Sequence, residues 1–377
     1  MPHSRRTRAI HEGELKLEGS VTTPIFPSTT YRYHGEGYHD VGYMRLSNTP
    51  NHRVLGQRIA ALEGCEAALV TGSGMSAISS TLLTLFEPSD HLLVQDMLYG
   101  GTLSFIECVL KRFGVRVSAI DPQDPDSWSA QTDTHTKGIY VEAITNPRVD
   151  IADHKAVVAF AKKHGLTSII DNTYASPVNF RPAEHGYDVV IESCTKYLNG
   201  HTDVIAGAVA TEPKRLRAIK ETLDHVGGSL DTHACYLLER GLKTLQLRVN
   251  AQNESAEQVA RWLEEHPQVQ RVLHPSLPSH PQHERAKELF DGFGGMLSFE
   301  LSGGHDATER LLDRIRVFSH AASFGGPESL MVSPSATHSV ESDAAASIAQ
   351  SALVRVSIGL EDPADLISDL EQALQTG

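Results

Sequence analysis

In the segment TSIIDNTYASPVNFRPAEHGYDVVIESCTKYLNGHTD, residues 167–203, two short apolar runs each lead directly into polar residues. The runs are TSIID (167–171) and DVVIES (188–193). Apolar runs of this length are typical of strands that are buried on both faces of a parallel sheet. The segment therefore predicts two strands, one ending at Asp171 and the other followed closely by Lys196.

The alternation of strands and helices continues on both sides of this segment. Further predicted strands are AALVT (67–71), HLLVQD (91–96), VRVSAID (115–121), GIYVEA (138–143) and IAGAVA (205–210). Helices are predicted near 51–64, 75–86, 101–113 and 154–165, and residues 211–265 are rich in helix-like pattern. This order indicates an α/β fold with a mostly parallel sheet covered by helices on both faces. Ligands bind such sheets outside the carboxyl ends of the strands.

The two ends of the chain differ from this central part. Residues 1–49 show little helical periodicity and are predicted to form an extended arm, which needs a surface to lie on. A smaller C-terminal α/β domain is predicted from strands at 296–301, 316–321 and 352–359 and helices near 306–315 and 363–375. We therefore divide the chain into an arm (1–49), a ligand-binding domain (50–245) and a C-terminal domain (246–377).

Composition narrows the classes of function. The chain has 377 residues, and its 33 Lys and Arg against 47 Asp and Glu give a net charge of −14. This charge argues against nucleic acid or an anionic membrane as the main partner, but a small anionic ligand is compatible with it. No run approaches the ~20 apolar residues of a membrane helix. The scattered cysteines and the absence of a signal-peptide pattern predict a cytoplasmic protein.

The glycine turn Gly72-Ser73-Gly74-Met75-Ser76-Ala77 allows three interpretations. It follows a predicted strand and opens a predicted helix, as the dinucleotide fingerprint G-x-G-x-x-A does. Asp96 ends the next strand, where an acid that binds ribose would lie, so a nicotinamide-dependent oxidoreductase is one hypothesis. The second is a phosphate site formed by backbone N–H groups at the helix start. The third is a turn that binds nothing.

Other strand ends favour pyridoxal phosphate. This cofactor requires a lysine for a Schiff base, a carboxylate beside its pyridine nitrogen and an aromatic ring over its face. Lys196, Asp171 and Tyr99 match these needs, and the candidates for the phosphate are Ser73, Gly74, Met75, Ser193 and Thr195. Each residue alone has an ordinary structural explanation, such as a solvated lysine or a helix cap. Their convergence on one sheet edge favours a cofactor site.

Several motifs give the chain a resemblance to a known family. Ser-Gly-Met (73–75), Leu-Tyr-Gly-Gly-Thr (98–102), Asp-Asn-Thr-Tyr-Ala-Ser-Pro (171–177) and Thr-Lys-Tyr-Leu-Asn-Gly-His-Thr-Asp (195–203) resemble the Cys/Met-metabolism pyridoxal-phosphate enzymes. This is the cystathionine γ-synthase, β-lyase and γ-lyase group. The similarity continues through 240–245, 294–296, 325–330 and 353–362, so that it spans nearly the whole chain. It implies an aminotransferase type I-like fold and a homotetramer built from dimers with shared active sites.

The resemblance also implies a role for each matching residue. Lys196 becomes the Schiff-base lysine, Asp171 the partner of the pyridine nitrogen, and Tyr99 a stacking ring and acid/base catalyst. Further cofactor contacts are implied for Ser73, Gly74, Met75, Thr173, Ser193 and Thr195. Arg355, Ser323 and Asn146 are implied to contact the substrate, with Arg355 holding its α-carboxylate. Tyr43 and Arg45 match a pair on the arm that reaches the phosphate of the neighbouring subunit.

The expected activity is a carbon–sulfur lyase acting on cystathionine or a related sulfur amino acid by β- or γ-elimination. The alternatives are γ-replacement, the nicotinamide-dependent oxidoreductase and a binding protein without turnover. The chain departs from the family pattern at Asn48-Thr49-Pro50-Asn51, Gly101, Leu103, Ser104, Ala322 and Phe324. No metal is expected, and His201 and Asp203 are interpreted as supports of the lysine loop.

Overall fold

The computed structural model describes residues 3–35, 37, 40–334 and 352–375. Its larger sheet has seven strands, in chain order β1 (Ala67–Thr71), β2 (His91–Gln95), β3 (Arg116–Ile120), β4 (Thr136–Glu142), β5 (Thr167–Asp171), β6 (Val189–Glu192) and β7 (Gly207–Thr211). The strands lie side by side in the order β1-β7-β6-β5-β4-β2-β3. Strand β7 runs antiparallel to its neighbours β1 and β6, and the pairs from β6 to β3 are parallel. The predicted, mostly parallel sheet is confirmed.

Helices surround this sheet. They are α1 (Arg5–His11), α2 (Pro50–Glu63), α3 (Gly74–Leu85), α4 (Gly100–Cys108), α5 (His154–His164), α6 (Ser176–Asn179), α7 (Pro182–His185), α8 (Pro213–Val226) and α9 (Thr232–Leu242). Short 3₁₀ helices lie at Met44–Leu46, Leu110–Phe113 and Pro125–Gln131. Glycines in the left-handed conformation end several helices, as Gly64 does after α2 and Gly165 after α5.

A second sheet forms the C-terminal part. Its strands are β8 (Val269–Leu273), β9 (Met296–Leu301), β10 (Ser319–His320), β11 (Leu330–Val332) and β12 (Leu353–Ser357), in the order β10-β11-β12-β9-β8. Its helices are α10 (Leu245–Glu265), α11 (His283–Leu289), α12 (Gly304–Arg314) and α13 (Pro363–Leu374). Alternate residues such as Leu297, Phe299, Val354 and Val356 form a core between this sheet and its helices. Among the described helices, none is long and apolar enough to cross a membrane.

The structure differs from the sequence prediction at elements that are stabilised by contacts with residues distant in the chain. The arm was predicted to be extended, but it begins with α1, where Ser4 caps the helix and Arg5 donates a hydrogen bond to the carbonyl of Val178. Strand β8 was missed because prolines surround it, and it is held by pairing with β9. The division at residue 245 stays a prediction, and it coincides with the start of α10.

A buried ion pair joins the arm to the larger sheet's helices. Arg58 on α2 is completely buried, and its Nε donates to the carbonyl oxygen of Glu12 at 3.1 Å. Its Nη2 lies 3.5 Å from the Glu239 carboxylate on α9. Thr23, farther along the arm, donates to the same carboxylate at 3.0 Å. The arm is therefore anchored at two points by one buried charge pair.

Replacing Arg58 by Ala leaves Glu239 as an unpaired buried charge and removes the anchor of the arm. We expect the free energy of unfolding to fall by about 3–5 kcal/mol. Chemical denaturation measures this change. The control is Arg261→Ala, which breaks an exposed pair with Glu257 on α10 and should cost about 0.5 kcal/mol. Equal losses in the two variants would contradict the anchoring role of Arg58.

Candidate active site

A cavity of about 620 Å³ lies outside the carboxyl ends of the parallel strands, at the edge facing the second sheet. Residues at or after the ends of β1, β2, β4, β5 and β6 line it, together with residues of the C-terminal part. Eleven of the predicted site residues line it: Ser73, Gly74, Met75, Tyr99, Asn146, Asp171, Thr173, Ser193, Lys196, Ser323 and Arg355. The convergence expected from the sequence is therefore present in the fold.

Lys196 follows β6 and points its amine into this cavity. Its Nζ donates a hydrogen bond to the Ser323 hydroxyl at 2.8 Å and lies 4.9 Å from the centre of the Phe324 ring. Burial, and after it the charge of Arg355, lowers the pKa of Lys196 to about 8. A larger share of the amine is therefore neutral near pH 8 than for an exposed lysine, as a nucleophilic lysine requires.

Asp171 is a half-buried carboxylate that the end of β5 supplies to the cavity. One of its oxygens accepts hydrogen bonds from the Thr173 N–H at 3.0 Å and from the Thr173 hydroxyl. The Thr173 hydroxyl in turn accepts from the Ser193 N–H at 2.8 Å. Burial raises the pKa of Asp171, whereas these bonds lower it. No ion pair to Asp171 occurs within the described residues, so it suits a protonated ring nitrogen.

The start of α3 offers a site for an anion. Ser73 caps this helix, its Oγ accepting from the Ser76 N–H at 3.0 Å. The first N–H groups of a helix have no partner within the helix and attract phosphate. A Cβ at Gly74 would lie 2.9 Å from the Ser193 Cβ. The lack of a side chain at Gly74 therefore lets the start of α3 approach the end of β6, so that the two lie next to each other in the cavity lining.

Arg355 supplies a guanidinium from the second sheet. It is 7% exposed, and its two terminal nitrogens donate to the Asn146 Oδ1 at 3.2 Å and to the Ser323 carbonyl at 3.3 Å. Ser323 has a φ of +105°, which a residue with a side chain rarely adopts. In this conformation Ser323 turns its carbonyl to Arg355 and its hydroxyl to Lys196. The guanidinium is thereby held in the cavity, where it suits a carboxylate.

Tyr99 lies at the mouth of the cavity and is 48% exposed. It precedes α4, and its N–H donates to the Glu142 carboxyl at 2.5 Å. Its ring lies against Gly101, where a Cβ would come within 2.5 Å of the ring. The absence of a side chain at Gly101 therefore permits this position of the tyrosine ring.

Three predicted residues lie outside the cavity of their own chain. The Thr195 hydroxyl donates to the Ala206 carbonyl at 3.1 Å and accepts from the Ala206 N–H at 3.0 Å. Tyr43 and Arg45 are exposed, and Arg45 donates to the Asp224 carbonyl of its own chain. The predicted roles of these three residues in binding the cofactor stay predictions.

The structure also adds cavity residues that were not predicted. Glu142, Ile144, Tyr174 and Ile205 are among them. Glu142 is at the end of the predicted strand 138–143, so its position at a strand end was a usable signal. Ile144 and Tyr174 lie in the loops after β4 and β5, which no periodic pattern marks. Ile205 was predicted to begin the strand 205–210, but it lies in the loop before β7, which begins at Gly207.

Two of the segments that depart from the family pattern, 322–324 and 48–51, have different surroundings. Ala322 and Phe324 line the cavity beside Ser323, so they face the space for a substrate. In the run 48–51, Pro50 is the first residue of α2 and Asn48 binds the backbone of the preceding arm.

His201 and Asp203 contact Asn199 within the lysine loop, as expected for supports. No group of three or more candidate metal ligands occurs in the described part of the chain.

A half-buried lysine, a carboxylate, an anion site at a helix start and an exposed aromatic ring therefore surround one cavity of an α/β fold. This set fits pyridoxal phosphate in each of its parts.

The comparisons with known proteins agree. The chain matches the profile of the family described as "Cys/Met metabolism PLP-dependent enzyme" over residues 6–375. It is 39% identical to the L-methionine gamma-lyase of Porphyromonas gingivalis and 40% identical to the cystathionine gamma-synthase of Mycobacterium bovis. Each alignment covers 98% of this chain and 96% of the relative.

A solved structure shows the same fold over its full length. The structure of cystathionine gamma-lyase from Lactobacillus plantarum, in complex with L-serine, superposes with a TM-score of 0.93 at 35% identity. It covers 98% of each chain. The chain belongs to the Cys/Met-metabolism family of pyridoxal-phosphate-dependent enzymes, and the predicted family, cofactor and fold class are confirmed.

The lowered pKa of Lys196 predicts how capture of the cofactor depends on pH. Above pH about 8 the amine is neutral and attacks an aldehyde, and below it the amine is protonated and inert. The rate at which apoprotein binds pyridoxal phosphate should therefore fall as the pH decreases through about 8. Stopped-flow absorbance measures this rate.

Arg355→Met serves as the matched variant for this experiment. It removes a neighbouring positive charge, so the midpoint should move to higher pH while burial keeps it below that of a free lysine. An unchanged midpoint, or one that moves to lower pH, would contradict the electrostatic contribution of Arg355.

Proposed function

We propose that this enzyme is a carbon–sulfur lyase that cleaves thioether amino acids, such as cystathionine or a related compound, by β- or γ-elimination. The observation that carries the proposal is the Lys196 amine. It lies in one cavity with Asp171 and Arg355, hydrogen-bonded to Ser323 and with a lowered pKa. A base, a carboxylate for the ring and a guanidinium for the substrate are the parts that this elimination requires.

Arg355 orients the substrate. A guanidinium binds a carboxylate through two parallel hydrogen bonds, so it suits the α-carboxylate of an amino acid. Asn146 and the Ser323 carbonyl each accept a hydrogen bond from one terminal nitrogen and hold the guanidinium in place. A substrate bound there would have its Cα in the cavity that also holds the Lys196 amine. Pyridoxal phosphate, when bound, supplies an electron-withdrawing ring that stabilises negative charge at Cα.

Lys196 and Tyr99 move the protons. The neutral Lys196 amine takes the proton from Cα, and its lowered pKa makes a larger share of it neutral near pH 8 than for an exposed lysine. Cleavage at Cγ requires a second proton transfer at Cβ, which the same amine can reach. The Tyr99 hydroxyl at the mouth of the cavity gives a proton to the departing sulfur. Asp171, held by Thr173, would bind the ring nitrogen of the cofactor and favour its protonated form.

γ-Replacement is the second candidate. The identity of 40% with the cystathionine gamma-synthase of Mycobacterium bovis favours it. In this reaction a thiol adds at Cγ in place of the departing group before the product leaves. The two candidate reactions use the same residues. They differ in whether a thiol adds at Cγ before the product leaves, so their products distinguish them.

The first experiment tests the covalent role of Lys196. The purified enzyme should carry a visible absorption band, and borohydride should abolish the band and leave the cofactor attached to the peptide that contains Lys196. Lys196→Ala should lose the covalent cofactor and at least a thousandfold in turnover, since both nucleophile and base are removed. Lys155→Ala, which alters an exposed lysine of α5, is the control.

Products then identify the reaction. Cystathionine, methionine, cysteine and acylated homoserines are assayed for keto acid and ammonia, and for thioether formation when a thiol is added. Keto acid release from a thioether amino acid supports the lyase. Thioether formation without keto acid supports γ-replacement, and normal turnover by Lys196→Ala would refute both.

We also propose that the active site is shared between subunits of a homotetramer. Tyr43 and Arg45 are exposed on the arm, and the Arg45 guanidinium lies 5.7 Å from the centre of the Tyr43 ring. An exposed guanidinium on an arm can bind a phosphate that lies at a helix start of the neighbouring subunit.

Arg45→Ala tests this arrangement. We expect the tetramer to persist in light scattering while the dissociation constant of pyridoxal phosphate rises about tenfold or more, because a phosphate contact is lost. Arg6→Ala, at an exposed arginine of α1, is the control and should change neither. A wild-type monomer with full cofactor affinity would contradict the proposal.

A further inference from the structure

Glu142 is a buried carboxyl of the cavity that the steps above do not use. It ends β4 and is 5% exposed, and the parallel register pairs it with Asp171 at the end of β5. Its carboxyl accepts a hydrogen bond from the N–H of Tyr99 at 2.5 Å, and the N–H of Asn146 lies close enough to lower its pKa. One side chain therefore contacts two loops that leave two different strands.

Gln95 completes this arrangement from the neighbouring strand. It ends β2 and is 1% exposed. Its side-chain oxygen accepts from the Glu142 N–H at 2.8 Å, and its side-chain nitrogen donates to the carbonyl of Met97. The short connection from β2 to Tyr99 is thus held at both ends by buried side chains, not by regular secondary structure.

Both loops carry side chains that act on the substrate. Tyr99 lies on the first loop. On the second, the Asn146 side chain accepts the hydrogen bond from Arg355. We propose that Glu142 is a positioning residue that sets the Tyr99 ring and the Asn146–Arg355 pair relative to each other. The roles of Tyr99 and Arg355 in this inference rest on the proposed function.

The energetic setting supports a specific role for this carboxyl. Burial, and after it the charge of Asp171, raises the pKa of Glu142 well above its usual range. A second carboxyl beside Asp171 is therefore unfavourable by itself. The two backbone N–H groups, which lower the pKa, are the contacts that compensate for it. An apolar side chain could fill this space without the unfavourable burial of a carboxyl, so we attribute the presence of Glu142 to its backbone contacts.

The experiment compares three variants of the holoenzyme. Glu142→Ala removes both acceptors, Glu142→Gln keeps one neutral oxygen, and Glu192→Gln is the matched control. Glu192 is also a buried glutamate at a strand end of the same sheet, but it lies beside Glu63 and outside the cavity lining. The measurements are kcat, KM, the melting temperature and the circular dichroism of the visible cofactor band.

We expect Glu142→Ala to lose about a hundredfold in kcat/KM, since the loss of each backbone contact to this carboxyl accounts for about tenfold. KM should rise because Arg355 loses its support, and the cofactor dichroism should change because the Tyr99 ring moves. Glu142→Gln should recover about tenfold relative to Ala. Glu192→Gln should stay within twofold of the wild type.

A second comparison keeps the test decisive if Glu142→Ala does not fold. Glu142→Gln is introduced into wild type and into a Tyr99→Ala background. Its effect on the cofactor dichroism should be much smaller in Tyr99→Ala, because the ring that Glu142 positions is absent. An equal effect in both backgrounds would overturn the positioning role.

Two other outcomes also overturn the proposal. One is a lowered melting temperature in the Glu142 variants with unchanged kinetic constants and dichroism, which would mean a structural role alone. The other is an equal loss in Glu192→Gln, which would mean a general effect of buried glutamates. Failure of the lyase assignment is seen separately as a wild type that releases no keto acid, because the dichroism comparison needs no substrate.

Discussion

The hydrogen bond from Lys196 to Ser323 joins the two halves of the active site. The two residues are 127 positions apart in the chain and lie in loops that follow strands of different sheets. The bond requires the left-handed backbone of Ser323, which also turns a carbonyl to Arg355. The amine, the guanidinium and the loop between them therefore hold one another in place. The relative position of the two sheets sets the geometry in which a substrate would meet its base.

This arrangement places carboxyl groups in surroundings where burial disfavours their charged form. Hydrogen bonds from backbone N–H groups and a hydroxyl compensate in part for this burial. Asp171 is compensated by Thr173, and Glu142 by two backbone N–H groups. On the other side of the same sheet edge, Glu63 and Glu192 lie together where burial raises the pKa of both.

Much of the large sheet could be predicted because its strands are continuous apolar runs. Strands β1 and β5 have the predicted bounds, and the strand-end residues Asp171 and Lys196 lie in the cavity as expected. The helix α1 and the strand β8 could not be predicted, since each depends on contacts with distant residues. The glycine turn at 72–77 illustrates an intermediate case. Its position at a helix start was evident, but a dinucleotide and a phosphate predict the same local pattern.

The sequence by itself determined which chemical groups stand at the carboxyl ends of the strands, because side-chain identity and strand periodicity are local properties. It thereby determined the cofactor class and, through its motifs, the family. Only the tertiary structure decided how Arg355 meets Asn146, which is 209 positions away, and how Glu142 contacts the backbone of Tyr99. Such contacts depend on how two sheets and their loops pack, and packing is a property of the whole chain that no local pattern encodes.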